Sequence, residues 1–350
     1  MKLVNKINVF ILIWLATNSY AQSQENLSII GVGDIMLGTN YPSKEYLPPN
    51  EGKDLLAAVN DILASADVTF GNLEGTLLDQ GATIKTNCNN CYAFRMPEYL
   101  AQNLVTAGFD VLSLANNHVR DFGDIGLQNT KQVLDRLGIH AAGLLSIPTV
   151  TLERKGVKYG FAAFAPNTGT VSINDIPNAQ SIIRQLKPTV DIVIVSFHGG
   201  AEGTDHQHVT RQTEIYYGEN RGNVYQFAHA VIDAGADIVF GQGPHVTRAV
   251  ELYQDRFIAY SLGNFCTYGR FSLRGETSLA PIIEVKVDKT GQFIEAQITP
   301  IIQIKPGGVT LDPQQRVIPL IRQLTQTDFP ETNLIIEDNG IIHRRTTHEQ

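Results

Sequence analysis

Apolar and polar positions follow two alternating rhythms along this chain. Continuous apolar runs at 28–34, 68–74, 111–114, 191–197 and 238–241 read as strands buried on both faces. Between them apolar residues return at helical spacing. Leu55, Leu56, Val59, Ile62 and Leu63 predict a helix over 52–64, Pro97 and Gly108 bound one at 97–107, and Leu127, Val133, Leu134 and Leu137 mark 125–137 before Gly138. Shorter helices are expected at 179–186, 224–234 and 317–324. Strand followed by helix in repeated succession predicts a layered α/β domain. Past residue 140 the pattern changes: 149–153 and 159–164 flank Lys155-Gly156-Val157 as a hairpin would, and 249–253, 257–262, 281–287 and 293–302 read as extended. No internal repeat is present.

The five apolar runs end in the same way. They deliver Asp34, Asn72 with Glu74, Asn116-Asn117-His118, His198 and, after Gly241-Gln242-Gly243-Pro244, His245. In open α/β sheets the carboxyl ends of the strands carry the ligand site. Singly, each residue has an ordinary explanation: Asn after a strand caps or turns, Gly-Asp turns, and a lone His is hydrogen-bonded structure. Five such strand ends together predict a metal-type site. Imidazole with carboxylate suits zinc, manganese or ferrous iron better than calcium.

The 350 residues are 43% hydrophobic and 18% charged, an ordinary globular composition. Lys2 and Lys6, a short apolar run at 9–16 and Ser19-Tyr20-Ala21 read as a signal peptide over 1–21, which places the mature protein outside the cytoplasm, periplasmic or secreted. A main domain at 22–304 and an extension at 305–350 with one helix and a frayed end at 346–350 are expected, with no transmembrane segment once the signal is removed. The net charge of −8 excludes nucleic acid as the natural partner. Cys88-Asn89-Asn90-Cys91 suits a local disulfide, two thiols or half of a metal site, whereas Cys266 reads as a small buried residue.

Six ordered motifs also carry a resemblance. Gly33-Asp34-Ile35-Met36-Leu37-Gly38, Asn72-Leu73-Glu74, Asn116-Asn117-His118 with Asp121 and Gly123, His198-Gly199-Gly200-Ala201-Glu202, Gly243-Pro244-His245-Val246 and Ser261-Leu262-Gly263-Asn264-Phe265 resemble the CapA family of poly-γ-glutamate capsule synthesis proteins. That family looks like a divergent branch of the calcineurin-like metallophosphoesterases. The resemblance implies an α/β sandwich of two packed β-sheets flanked by helices. It also implies one or two divalent ions held by Asp34, Glu74, Asn117, His198 and His245, with the His198 and His245 imidazoles within about 6 Å if they share one ion. His118 would be a general acid or charge stabiliser. Glu202 would be a base or would orient His198, and Asn72, Asn116 and Asn264 would hydrogen-bond substrate. His206 and His208 read as loop residues with a weaker claim to a ligand role.

The chain departs from the wider phosphoesterase pattern at Met36, Asn72 and Gln242, each of which replaces a ligand. A neutral amide at the bridging position cannot supply the charge that two metals need. The expected function is therefore synthesis, export or processing of poly-γ-glutamate or a related envelope polymer, alongside capsule synthesis machinery. Two other readings stand beside it: an extracytoplasmic phosphoesterase acting on a small anionic substrate, and a non-catalytic module that binds an anionic polymer. Whether the chain is an enzyme stays open at this level.

Overall fold

The computed structural model describes residues 26–85 and 92–345. The expected signal peptide, the Cys88 and Cys91 pair and the end at 346–350 lie outside the described residues.

Two sheets form the centre. In the first, strands Leu27–Met36, Val68–Leu73, Val111–Ser113 and His140–Ala142 run parallel, and Leu279–Val287 and Phe293–Gln303 extend it antiparallel. In the second, Val157–Phe164, Ile192–His198, Ile238–Gln242 and Arg256–Ala259 run parallel between antiparallel edge strands Thr149–Arg154 and Val250–Tyr253. The expected hairpin is the pairing of Thr149–Arg154 with Val157–Phe164.

The apolar runs are continuous because both faces of these strands are covered. Ile194 and Phe240 point inward with Ile29, Phe70, Val111 and Phe161 to form one core between the sheets. Phe70 stacks on Phe240 with ring centroids 5.7 Å apart and meets Phe161 at 4.9 Å. Their neighbours Val193, Val195 and Val239 point the other way, against helices Ile176–Leu186 and Val224–Asp233. Helix Gly123–Leu137 covers the outer face of the first sheet through Val133 and Leu134, and Gly138 closes it in the left-handed conformation. The layering is helix, sheet, sheet, helix, as the resemblance implied.

Three expectations change. The helix over 52–64 is reduced to Asn60–Leu63 after a 3-10 turn at Pro49–Gly52. Leu55, Leu56, Val59 and Leu63 are all buried, so the spacing reported burial correctly. The Leu55 carbonyl, however, accepts a hydrogen bond from Val309 N at 2.8 Å, and this tertiary partner takes the place of a helical one. The helix over 97–107 is a 3-10 turn, Glu98–Ala101, running into Gln102–Thr106. The residues from 305 onward hold helix Val317–Asp328 and also strands Val309–Leu311, Leu334–Ile336 and Ile341–Arg344, which join the first sheet through Phe293–Gln303 and one another.

Candidate metal centre

Both sheets end their parallel strands at the same edge, and the polar clusters gather there. The first strand is aimed by two irregularities in its pairing, which fall on either side of Asp34. Such bulges turn a side chain out of the regular pleat. Gly33 is required for this path, because a Cβ there would lie 1.9 Å from the Gly263 carbonyl oxygen, beside the bond from Asp34 N to that same oxygen at 2.9 Å.

Asp34, Glu74 and His245 meet at this edge. One ligand atom from each lies within 4.8 Å of the others. That is close to the span of groups sharing one ion, each at roughly 2.0–2.2 Å from it. His245 Nδ1 is 2.9 Å from Asp34 Oδ2, and its Nε2 is 3.6 Å from Glu74 Oε1. His245 holds φ at +57°, a conformation uncommon outside glycine, and the Asn264 amide donates to its carbonyl at 3.2 Å.

The electrostatics of this group suit a cation. Glu74 is fully buried, and neither of its carboxylate oxygens receives a hydrogen bond. Burial, reinforced by Asp34, pushes its pKa well above the usual carboxylate range. Burial alone would depress His245, yet Glu74 and the Asp34 hydrogen bond hold it up at about 10. His198 is driven well below the ordinary histidine value, first by burial and then by His245. His198 Nε2 and Asn117 Oδ1 are buried acceptors or donors without a partner. A divalent ion would satisfy such orphaned lone pairs, and the oxygen and nitrogen donors fit zinc, manganese or ferrous iron.

His198 does not join this group: its ring centroid is 6.5 Å from that of His245, and the ligand atoms that gather are those of Asp34, Glu74 and His245. The cause is Asn72, whose amide nitrogen donates to Asp34 Oδ1 at 2.8 Å and stands 3.4 Å from His198 Nδ1. The amide occupies the space between carboxylate and imidazole. Asn72, Asn116 and Asn264, expected to face substrate, are buried; Asn72 and Asn116 are committed to the protein, whereas Asn264 donates to the His245 and Thr277 carbonyls and leaves its Oδ1 without a partner. Asn116 Nδ2 donates to Asn72 Oδ1 and to the Leu73 carbonyl, and its own Oδ1 accepts from His118 N. Together the three amides brace the site.

His118 approaches the same Glu74 oxygen as His245, with Nε2 3.8 Å from Oε1. Its Nδ1 lies 2.8 Å from Asp121 Oδ2, and Lys85 Nζ lies 2.5 Å from Asp121 Oδ1. Burial lowers the His118 pKa, and Asp121 opposes the shift. With Nδ1–H given to Asp121, Nε2 keeps a lone pair directed toward the site. Phe94 covers the His118 ring at 4.3 Å, Phe271 meets His245 edge-on at 5.3 Å, and the two phenylalanines stack at 5.1 Å as one apolar wall. Asn117 lines a neighbouring cleft of about 350 Å³ with Lys85, Arg120 and Asn167.

The remaining candidates take structural positions. Glu202 pairs with Arg221 at 3.0 Å and not with His198. His206 meets Tyr216 edge-on, and His208 pairs with Asp328 at 2.7 Å. Met36 is buried in the outer core, and Gln242 accepts from Ser196 at 2.8 Å. Nothing in the sequence pattern singles out Lys85 or Phe94. Both lie in the irregular stretch between Leu77 and Pro97, where no periodicity points to a site.

The chain is 30% identical over 333 residues to the PGA biosynthesis protein CapA of Bacillus subtilis, covering 87% of this chain and 79% of that one. It is 27% identical over 263 residues to the capsule biosynthesis protein CapA of Bacillus anthracis, covering 70% of this chain but only 60% of the relative's length. Among solved structures, a hypothetical protein from Thermus thermophilus aligns over 82% of this chain and 100% of its own, with a TM-score of 0.49 at 16% identity. The family model described as bacterial capsule synthesis protein PGA_cap matches residues 28–268, which include every residue of the site from Asp34 to Asn264, and the chain belongs to that family.

Proposed function

We propose that this chain acts outside the cytoplasm on an anionic envelope polymer of the poly-γ-glutamate type, through one divalent ion held by Asp34, Glu74 and His245. The observation that carries the reading is the fully buried Glu74 carboxylate, which has no donor on either oxygen and faces two histidines. Membership of a family whose relatives are described as capsule and PGA biosynthesis proteins supplies the polymer class. Export rests on the basic, apolar and small-residue pattern of residues 1–21. Among the described residues no helix is long and apolar enough to cross a membrane.

A single ion suits the donor set better than a pair. Two ions about 3.5–4 Å apart need an anionic bridge, and Asn72 occupies that position as a neutral amide. When bound, the ion would polarise a carbonyl or phosphoryl oxygen of the substrate. The protein's own groups do the rest. Asp121 fixes the His118 ring, whose Nε2 is placed to take a proton from an attacking group and return it to a leaving one. Phe94 and Phe271 keep water from the two imidazoles.

The test is a screen of purified protein, with manganese or zinc, against γ-linked glutamyl oligomers and phosphate esters. The reading expects shortened glutamyl chains from the wild type and none from His118→Ala. Turnover of phosphate esters alone would replace it with the phosphoesterase reading. Tight binding of the oligomer without cleavage would replace it with the non-catalytic module.

A further inference from the structure

One cation at the rim of the site has no role in the chemistry above. The Arg270 guanidinium lies over the Tyr92 ring, with Cζ 4.7 Å from its centroid, and over Tyr46 at 5.2 Å. Among the described residues no carboxylate pairs with it. Glu45, the nearest acid in sequence to this clamp, lies close enough to the Tyr46 phenol to raise its pKa and forms no ion pair with Arg270 among the described residues. Residues 86–91, which precede Tyr92, contain no acid. A guanidinium stacked by its faces keeps its N–H edge open, and that planar edge suits a carboxylate.

The clamp is joined to the site by ring contacts. Phe271, the next residue, meets the His245 imidazole, and Phe94 lies between His118 and Tyr92, 6.3 Å from the latter. The steps from the His118 ring to Phe94, from Phe94 to Tyr92 and from Tyr92 to Arg270 are 4.3, 6.3 and 4.7 Å, which puts the guanidinium within reach of a short chain. An α-linked residue spans at most about 3.6 Å, and two added methylenes lengthen a γ-linked one to roughly 6 Å. Two γ-linked residues reach about 12 Å, a length that falls within the span of those contacts.

We propose that Arg270, stacked between Tyr46 and Tyr92, docks the free α-carboxylate two residues along a γ-linked glutamyl chain whose linkage lies at Asp34, Glu74 and His245. This rests on the poly-γ-glutamate reading and adds to it a subsite that selects a chain over a single linkage. It explains an unpaired cation beside a metal site in a protein of net charge −8.

The test is calorimetric binding of a γ-glutamyl hexamer and of the γ-glutamyl dimer, which is too short to span both points, in buffer containing manganese. Arg270→Gln should weaken hexamer binding roughly tenfold or more, as expected for one charge-assisted contact. Dimer binding and bound manganese should be unchanged. Arg270→Lys, which keeps the charge and loses the plane, should fall between. Equal hexamer affinity for wild type and Arg270→Gln would overturn the subsite and leave the polymer reading standing, and so would equal losses for hexamer and dimer. A wild type that binds neither oligomer would overturn the polymer reading and the subsite with it.

Discussion

The two edges of the sandwich use the same residue type to opposite ends. At the edge where parallel strands begin, an aspartate stands immediately before four of them: Asp67, Asp110, Asp191 and Asp237. Each clamps the neighbouring strand, accepting from Ser28 N at 2.9 Å, Thr69 N at 2.9 Å, Lys158 N at 2.8 Å and Val193 N at 2.8 Å, while its own N–H answers the same residue's carbonyl. Cations take the remaining oxygens of two, Lys155 on Asp67 and Arg154 on Asp110, while on Asp237 Lys187 shares Oδ2 with Val193 N and Oδ1 faces Arg256 at 3.4 Å without a hydrogen bond. At the edge where the strands end, Glu74 has no donor at all, and His198 Nε2 has no partner. Acids bonded to a neighbouring strand's N–H hold register, and an acid with no donor on either oxygen marks the place where a ligand is expected. Volume alone would mislead, because the larger hollow, about 500 Å³, opens at the strand-start edge among these paired charges.

This contrast can be broken first on its structural side. Asp237→Ala removes the partner of Val193 N and leaves Lys187 and Arg256 uncompensated, so it should destabilise the protein by about 2–4 kcal/mol. Chemical denaturation should show this as a lower midpoint with an unchanged slope. A midpoint equal to that of the wild type would mean that the strand-start acids do not hold register.

The next effect is pH-dependent and belongs to the strand-end edge. His198 stays neutral in the fold, its pKa held well below the ordinary value by burial. In the unfolded chain it protonates near pH 6.5, so its contribution is present above that pH and is lost as pH falls below it, by at most about 1.4 kcal/mol per pH unit. Metal-free wild type should therefore lose stability faster than His198→Asn below pH 6.5. His245 runs the other way. Its folded pKa of about 10 makes its contribution complete below pH 6.5 and lost as pH rises toward 10. Parallel stability curves for wild type and His198→Asn between pH 6.5 and 5 would remove His198 from the buried set.

The smallest effect sharpens the contrast most. Glu74→Gln replaces a buried, donorless carboxylate with an isosteric amide. In metal-free protein it should lower stability by less than Asp237→Ala does, since Glu74 gives up its attraction to His245 and no hydrogen bond. Thermal melts without metal check this. A loss as large as that of Asp237→Ala would show that Glu74 is a structural acid like those of the opposite edge.

Much of this was legible in the residues. The apolar runs located the buried strands, and the polar residue after each located the site edge, because a strand's pattern reports burial and its end reports direction. Periodicity does not report hydrogen-bond partners. It could not show that Asn72 would stand between Asp34 and His198, that Arg221 would take Glu202, or that the Leu55 carbonyl would leave the helical pattern for Val309. Lys85 and Phe94 lie in a segment whose path is set by tertiary contacts alone. The aspartates before the strands were visible in the sequence, but a lone acid before an apolar run reads as a turn until the neighbouring strand is known.

Titration of metal-stripped protein with manganese and zinc, followed by calorimetry, tests the central assignment most directly. The account predicts one ion per chain in the wild type, loss of that binding in Asp34→Asn and Glu74→Gln, and retained binding in the surface control His208→Ala. Wild-type protein that binds neither ion, or Glu74→Gln that binds with wild-type affinity, would contradict it.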